Sequence, residues 1–375
     1  MAERVLVAPD KFKGSLPATE VAARLAAGLS RAGVGADVVS LPVADGGDGT
    51  VDAAVSAGYR RVQMGVRGPV GRPVTAAFAL LDGTAVIEAA QACGLSLLAP
   101  DSLAPLTATS KGVGELILAA TRMGAKQVML GLGGVATTDG GAGLVQALGA
   151  RLTDDSGLEL PPGGAALARL ATLHLERLRD LSGVEFLVAS DVDNPLLGPS
   201  GAARVYAPQK GASPEDVKLL EAGLERWADI AEEAAGRTAR DAPGAGAAGG
   251  LGFAALLFLG ARMRPGIELL LEMLSFGQRL DGARLVITGE GSLDAQSLHG
   301  KAPVGVARAA AGHDPAVPVV AVAGVCTLSA AQLREAGIAA AYALTDIEPD
   351  VSRCIANAGP LVERRAERIA DDWLR

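Results

Sequence analysis

The chain is poor in aromatic residues: Phe, Trp and Tyr make up only 3% of its 375 residues. Its core therefore has to be built from Ala, Val, Leu and Ile. Cysteine is scarcer still. Cys93, Cys326 and Cys354 are too few and too scattered for a disulfide framework or a thiolate zinc site. The histidines, His174, His299 and His313, lie far apart, with no metal-ligand spacing. No apolar run is long enough to span a bilayer; the longest, near residues 251–261, is interrupted by Gly252 and Gly260. The pattern GxxxxGK[ST] occurs nowhere, which excludes a Walker A loop, and no dinucleotide fingerprint sits in a convincing strand–helix context. A basic surface is also missing. The net charge of −8 argues against a nucleic-acid partner.

Glycine, by contrast, is in excess. There are 49 in 375 residues, against a usual share of ~7%. They come in short bursts with no Gly-X-Y period, as backbone turns at ligand loops would require. Lysine is rare, yet Lys11, Lys13, Lys111, Lys210 and Lys301 each fall within three residues of a glycine. Point charges beside glycine turns suit phosphate, although chance proximity in a glycine-rich chain gives the same pattern.

The first 60 residues alternate strand and helix. Residues 4–8 read as a strand, 17–31 as an amphipathic helix, 36–41 as a strand and 51–57 as a helix. Residues 60–66, 74–81 and 84–88 read instead as strands joined by tight turns. Residues 214–235 read as a polar-faced helix, and from residue 284 the β-α alternation returns, starting with a strand over 284–288 and ending in a helix over 350–373. The expected fold is α/β with two domains. One is a Rossmann- or flavodoxin-like parallel sheet built from both chain ends, residues 1–66 and 275–375. The other is an inserted mixed α/β domain, residues 67–274, with the active-site cleft expected between them. The opening stretch enters an apolar strand at once and has no signal core or cleavage site, so the expected compartment is the cytoplasm.

Seven loops carry the chemistry. APDKFKGSL (8–16) places Asp10, Lys11, Lys13 and Ser15 between a strand and a helix N-terminus, where anions are stabilised. ADGGDGT (44–50) offers Asp45 and Asp48 for a cation or a hydroxyl, or else a helix cap. GLGGVATTDGGAG (131–143) surrounds Thr137, Thr138 and Asp139 with six glycines, the composition of a phosphate cradle. SDVDNPL (190–196) sets Asp191 and Asp193 at a strand end; together they suit one cation, or divide into metal ligand and base, and Asp-Asn-Pro is also plain turn chemistry. YAPQKGA (206–212) supplies Lys210 as an anion contact or a surface lysine. PGAGAAGGLG (243–252) enters a helix almost without side chains, for a ligand or for another helix. TGEGSLDAQSLHGKAP (288–303) combines Glu290, Asp294, His299 and Lys301.

In this order, and with RPGIE (264–268) and ALTDIEP (343–349), these stretches resemble the bacterial glycerate kinases over nearly the whole chain. Val135 and Thr138 stand where many members are expected to carry Ser and Asn. The resemblance implies ATP-dependent phosphorylation of D-glycerate with Mg2+. The 2-phosphorylated product is favoured, and the 3-product is also compatible.

Roles follow by inference. Gly133, Gly134, Thr137, Thr138, Asp139, Gly140, Gly141, Gly289, Glu290 and Gly291 are expected to hold the nucleotide. Asp193 and Glu290 are expected to hold the metal. Asp191, Lys11 and Asp45 are the expected catalytic residues. Lys13, Ser15, Lys210, Lys301 and His299 are the expected contacts to glycerate. Domain closure is expected to exclude water. No membrane partner is expected, and a homodimer is one possible assembly. A kinase of another hydroxy acid and a non-catalytic sensor are the competing readings; the repeated acids at strand ends weigh against the sensor.

Overall fold

The computed structural model of the protein describes residues 4–375, all but the side chain of His299. The chain divides into two compact units. The first takes the described part of Met1–Asp45 with Asp52–Gly58 and Ile267–Arg375; the second takes Gly46–Val51 and Tyr59–Gly266.

The first unit is built on a strand from each half of the chain. Arg4–Pro9 is apolar over most of its length and buried, as a strand covered on both faces must be. It pairs in parallel with Ala283–Leu293 on one side and Asp37–Ser40 on the other. Val319–Cys326 and Ala340–Ala343 extend the sheet beyond Ala283–Leu293, again in parallel. Taken in their order within the unit, the five strands lie 2-1-3-4-5. That is the flavodoxin-type doubly wound order, whose switch point lies between the first and third strands. Helices Ala18–Arg31 and Ala358–Trp373 pack closely: a Cβ on Gly28 would lie 2.3 Å from the Glu363 carbonyl oxygen. Arg24 and Arg31 both pair with Glu363 across that contact.

The second unit holds a six-stranded mixed sheet. Its order is Arg262–Arg264, Glu185–Ala189, Gln127–Gly131, Thr84–Glu88, Pro73–Leu81, Arg60–Arg67. The first four run parallel, and the last two are antiparallel hairpin strands. Arg60–Arg67, on the first-domain side of the boundary read from sequence near residue 66, pairs along its whole length with Pro73–Leu81 and so belongs to this unit. The core uses its few aromatics together: Trp227 stacks on Phe258 and meets Phe253 edge-on. A short hairpin, Arg151–Thr153 with Thr172–His174, completes the unit. Among the described residues no helix is long and apolar enough to cross a membrane.

Three elements differ from the sequence reading. The strand expected to end at Thr288 continues through Gly289, Glu290 and Gly291 to Leu293, because Val319–Cys326 pairs with it to its end. The C-terminal helix breaks at Asn357 into Val351–Ala356 and Ala358–Trp373. Helix Ala247–Phe258 carries left-handed backbone at Ala248, Gly249 and Gly250.

Candidate functional site

In the first unit the switch point carries charge. Pro9 pairs with Gly289, and the Asp10 N–H donates to the Gly289 carbonyl at 2.8 Å. Asp10 and Glu290 thus leave the sheet from neighbouring strand positions. Asp10 is 7% exposed. Burial pushes its carboxyl up to about 7, the carboxylates of Asp45 and Glu290 push the same way, and Lys11 opposes them. Lys11 donates its backbone N–H to Asp10 Oδ1 at 2.6 Å and holds its ammonium 4.0 Å away. Glu290 is also raised, first by burial, against the Ser297 hydroxyl that donates to it and the nearby Lys301. The carboxyl of Asp294 is lowered, chiefly by the Gln296 N–H, with the Ser292 hydroxyl adding to it. The four carboxylates of Asp10, Asp45, Glu290 and Asp294, with the ammonium groups of Lys11 and Lys301 beside them, therefore share one electrostatic neighbourhood. Like charges held this close favour a shared proton or a bound cation.

Lys301 immediately precedes helix Ala302–Ala311, at its N-cap position and without a side-chain capping bond. Lys13 is exposed, and the Ser15 hydroxyl donates to the Ile355 carbonyl at 3.0 Å. The expected role of His299 lies outside the described residues.

In the second unit one row of register joins the C-terminal ends of four parallel strands: Glu88, Gly131, Ala189 and Arg264. Loops 131–143, 190–196 and 264–268, far apart in the chain, all start from this edge. The Asp191 carboxylate accepts the Gly266 N–H at 3.0 Å. Asp193 is exposed. Asn194 is spent structurally, accepting from the Tyr206 hydroxyl at 2.6 Å and donating to the Ser200 carbonyl. The turn at 46–48 lies directly on the glycine loop. A Cβ on Gly131 would be 2.3 Å from the Gly46 carbonyl oxygen, and one on Gly133 would be 2.7 Å from the Gly47 Cα.

The glycine loop itself is mostly interior. Gly133 and Gly134 reach the surface, whereas residues 135–145 are buried. Asp139, 1% exposed, accepts four hydrogen bonds: from the Ser110 N–H and hydroxyl at 2.8 and 2.9 Å, and from the Gly141 and Gly143 N–H groups. Burial still raises its carboxyl. Asp139 thus shapes the loop from inside, with its oxygens occupied. Gly140 and Gly141 take left-handed backbone against Trp227 and Ala254. Among the described residues the Thr138 hydroxyl is buried without a hydrogen-bond partner, and the Thr137 hydroxyl lies beside the Cys93 thiol. Lys210, read from sequence as an anion contact or a surface lysine, is 3% exposed, and its ammonium donates to the Thr137 carbonyl. Burial lowers it to about 8.

Two residues escaped the sequence reading of roles. Asp10 stood in a quoted loop, but nothing in the sequence marked it as the buried acid of that loop. Glu88, 3% exposed, accepts the Val51 N–H and anchors the 46–51 turn; it read only as the last residue of a strand. Among the described residues no three His, Cys, Asp or Glu side chains are grouped to hold a metal ion by themselves.

Comparison with known proteins agrees over the full length. The glycerate kinase family description matches residues 5–374. A glycerate kinase of Bacillus subtilis (strain 168) is 46% identical over 371 residues, covering 98% of this chain and 97% of its own. A glycerate 2-kinase of Escherichia coli (strain K12) is 43% identical over 346 residues, covering 91% and 90%. A crystal structure described as glycerate kinase 2 from Salmonella typhimurium LT2 superposes with a TM-score of 0.86 at 40% identity, covering 99% of this chain and 98% of its own.

Proposed function

The chain belongs to the glycerate kinase family, and on that premise we propose that it transfers the γ-phosphoryl group of ATP to D-glycerate, giving 2-phosphoglycerate and ADP with Mg2+. The observation that carries this reading is the set of acids and ammonium groups at the switch point of the first unit. Phosphoryl transfer needs a base for the acceptor hydroxyl and cations for the phosphates, and little else that is covalent. The printed name of the Escherichia coli relative supports the 2-position.

In this reading the surface of the glycine loop, Gly133 and Gly134, takes the nucleotide phosphates, with Thr137–Gly141 as its rigid base. Within the first unit, Gly289, Glu290 and Gly291 are the candidates for a nucleotide contact. Asp191 or Asp45 accepts the glycerate hydroxyl proton. Lys11, Lys13 and Lys301 neutralise the glycerate carboxylate and the transferring group. Glu290 of the first unit and Asp193 of the second are separate candidates, each offering carboxylate oxygen to a hard cation, since Mg2+ takes one or two carboxylates together with substrate phosphates. When bound, the ion neutralises phosphate charge.

The test is ADP release with Mg-ATP and D-glycerate, set against tartronate, lactate and glycerol as acceptors, and GTP as donor. D-glycerate should exceed glycerol in kcat/KM by about tenfold or more, because a site built for a carboxylate is left unpaired by the alcohol. Equal turnover of the two would overturn the assignment to an acid substrate. Cytoplasmic location is part of the proposal and is checked by fractionation; a homodimer is checked by light scattering.

A further inference from the structure

We propose that Lys210 is a positioning residue for the nucleotide, fixing the glycine loop from inside through the Thr137 carbonyl. The proposal rests on the reading that this loop takes the nucleotide phosphates. Lys210 ends the short helical turn Pro208–Lys210, and its ammonium lies beneath the loop. The groups facing it are Cys93, from helix Ala89–Cys93, and Asp139 of the loop.

An ammonium has three donors, and among the described residues one of them is given to the Thr137 carbonyl. Burying a lysine for packing alone is costly, and an apolar residue of similar volume would serve that purpose better. The loop is instead pinned at two adjacent points by opposite charges. The carboxylate of Asp139 gathers Ser110, Gly141 and Gly143, and the ammonium of Lys210 takes the Thr137 carbonyl. A peptide unit is planar, so holding that oxygen also fixes the direction of the Thr138 N–H. The positive charge further favours phosphate nearby.

A structural lysine and a positioning lysine respond oppositely to alkali. Burial lowers Lys210 to about 8 from 10.5. Between those values the folded chain has lost this proton while the unfolded chain keeps it, so this group makes the fold more stable as pH rises. Nucleotide affinity, if it depends on the cation, falls over the same range.

The experiment is calorimetric titration of the full chain with Mg2+ and a non-hydrolysable ATP analogue at pH 7 and 9. It is paired with melting curves and hydrogen exchange of residues 131–143. Wild type should lose affinity about tenfold or more at pH 9 without a fall in melting temperature attributable to Lys210. Lys210→Met should bind about tenfold or more weakly at pH 7, lose the pH dependence, and leave the KM for glycerate within about twofold. Wild-type affinity in Lys210→Met, with the loop still protected by nucleotide, would overturn the proposal alone. Absence of nucleotide protection at 131–143 in wild type would overturn the reading beneath it, and the proposal with it. If Lys210→Met does not fold, the wild-type pH series decides, and a flat affinity from pH 7 to 9 overturns the proposal.

Discussion

Burial raises Asp10 to about 7, so between about pH 4 and 7 the folded chain keeps a proton that the unfolded chain has lost. The stability this group confers is complete below pH 4 and is lost as the pH rises through 7. Asp10→Asn should therefore unfold at higher urea at pH 8, gaining about 1–3 kcal/mol, while losing turnover. Equal stability of variant and wild type at both pH 5 and pH 8 would show that Asp10 carries no such cost. Asp139→Ala should act in the opposite direction. It leaves four buried donors without an acceptor and should cost about 3 kcal/mol or more in denaturant titration. The Asp191 carboxylate accepts the Gly266 N–H. Asp191→Asn should lower kcat far more than it raises KM if the carboxylate acts in the transition state; near-wild-type turnover would remove it from the mechanism. At this scale the sequence disclosed which residue types sit in which loops. It could not show that Lys210 and Asp139 point inward, since glycine spacing is the same for an open cradle and for a tightly packed turn.

Elements were more legible than side chains. The 22-residue helix Pro214–Ala235 has its expected bounds, set by Pro214 at the start and Gly236 in left-handed backbone at the end. The strand Ala283–Leu293 was read as ending at Thr288 because glycine and acid normally signal a loop, and the pairing that extends it is non-local. Glycines in helices show the same dependence on partners. A Cβ on Gly114 would meet the Leu144 carbonyl oxygen at 2.5 Å, whereas Gly277, exposed in helix Phe276–Leu280, faces open space. Gly114→Ala should lose about 1–3 kcal/mol by overpacking, and Gly277→Ala should gain about 0.5–1 kcal/mol from helix propensity. Melting temperatures of the two variants should move in opposite directions.

For the whole molecule, the β-α alternation at both ends foretold one parallel sheet made from both, and the 2-1-3-4-5 order matches it. Each unit gathers chemistry-bearing loops at the C-terminal ends of its parallel strands, where open α/β sheets bind ligands. The order of short motifs named the family, because each loop is common and their sequence along the chain is not. The central claim is chemical, and NMR of the product tests it directly. D-glycerate, ATP and Mg2+ incubated with the enzyme should yield ADP and a phosphomonoester whose phosphorus couples to the C2 proton. Coupling to the C3 protons alone would contradict the 2-position, and an unchanged spectrum would contradict the account as a whole.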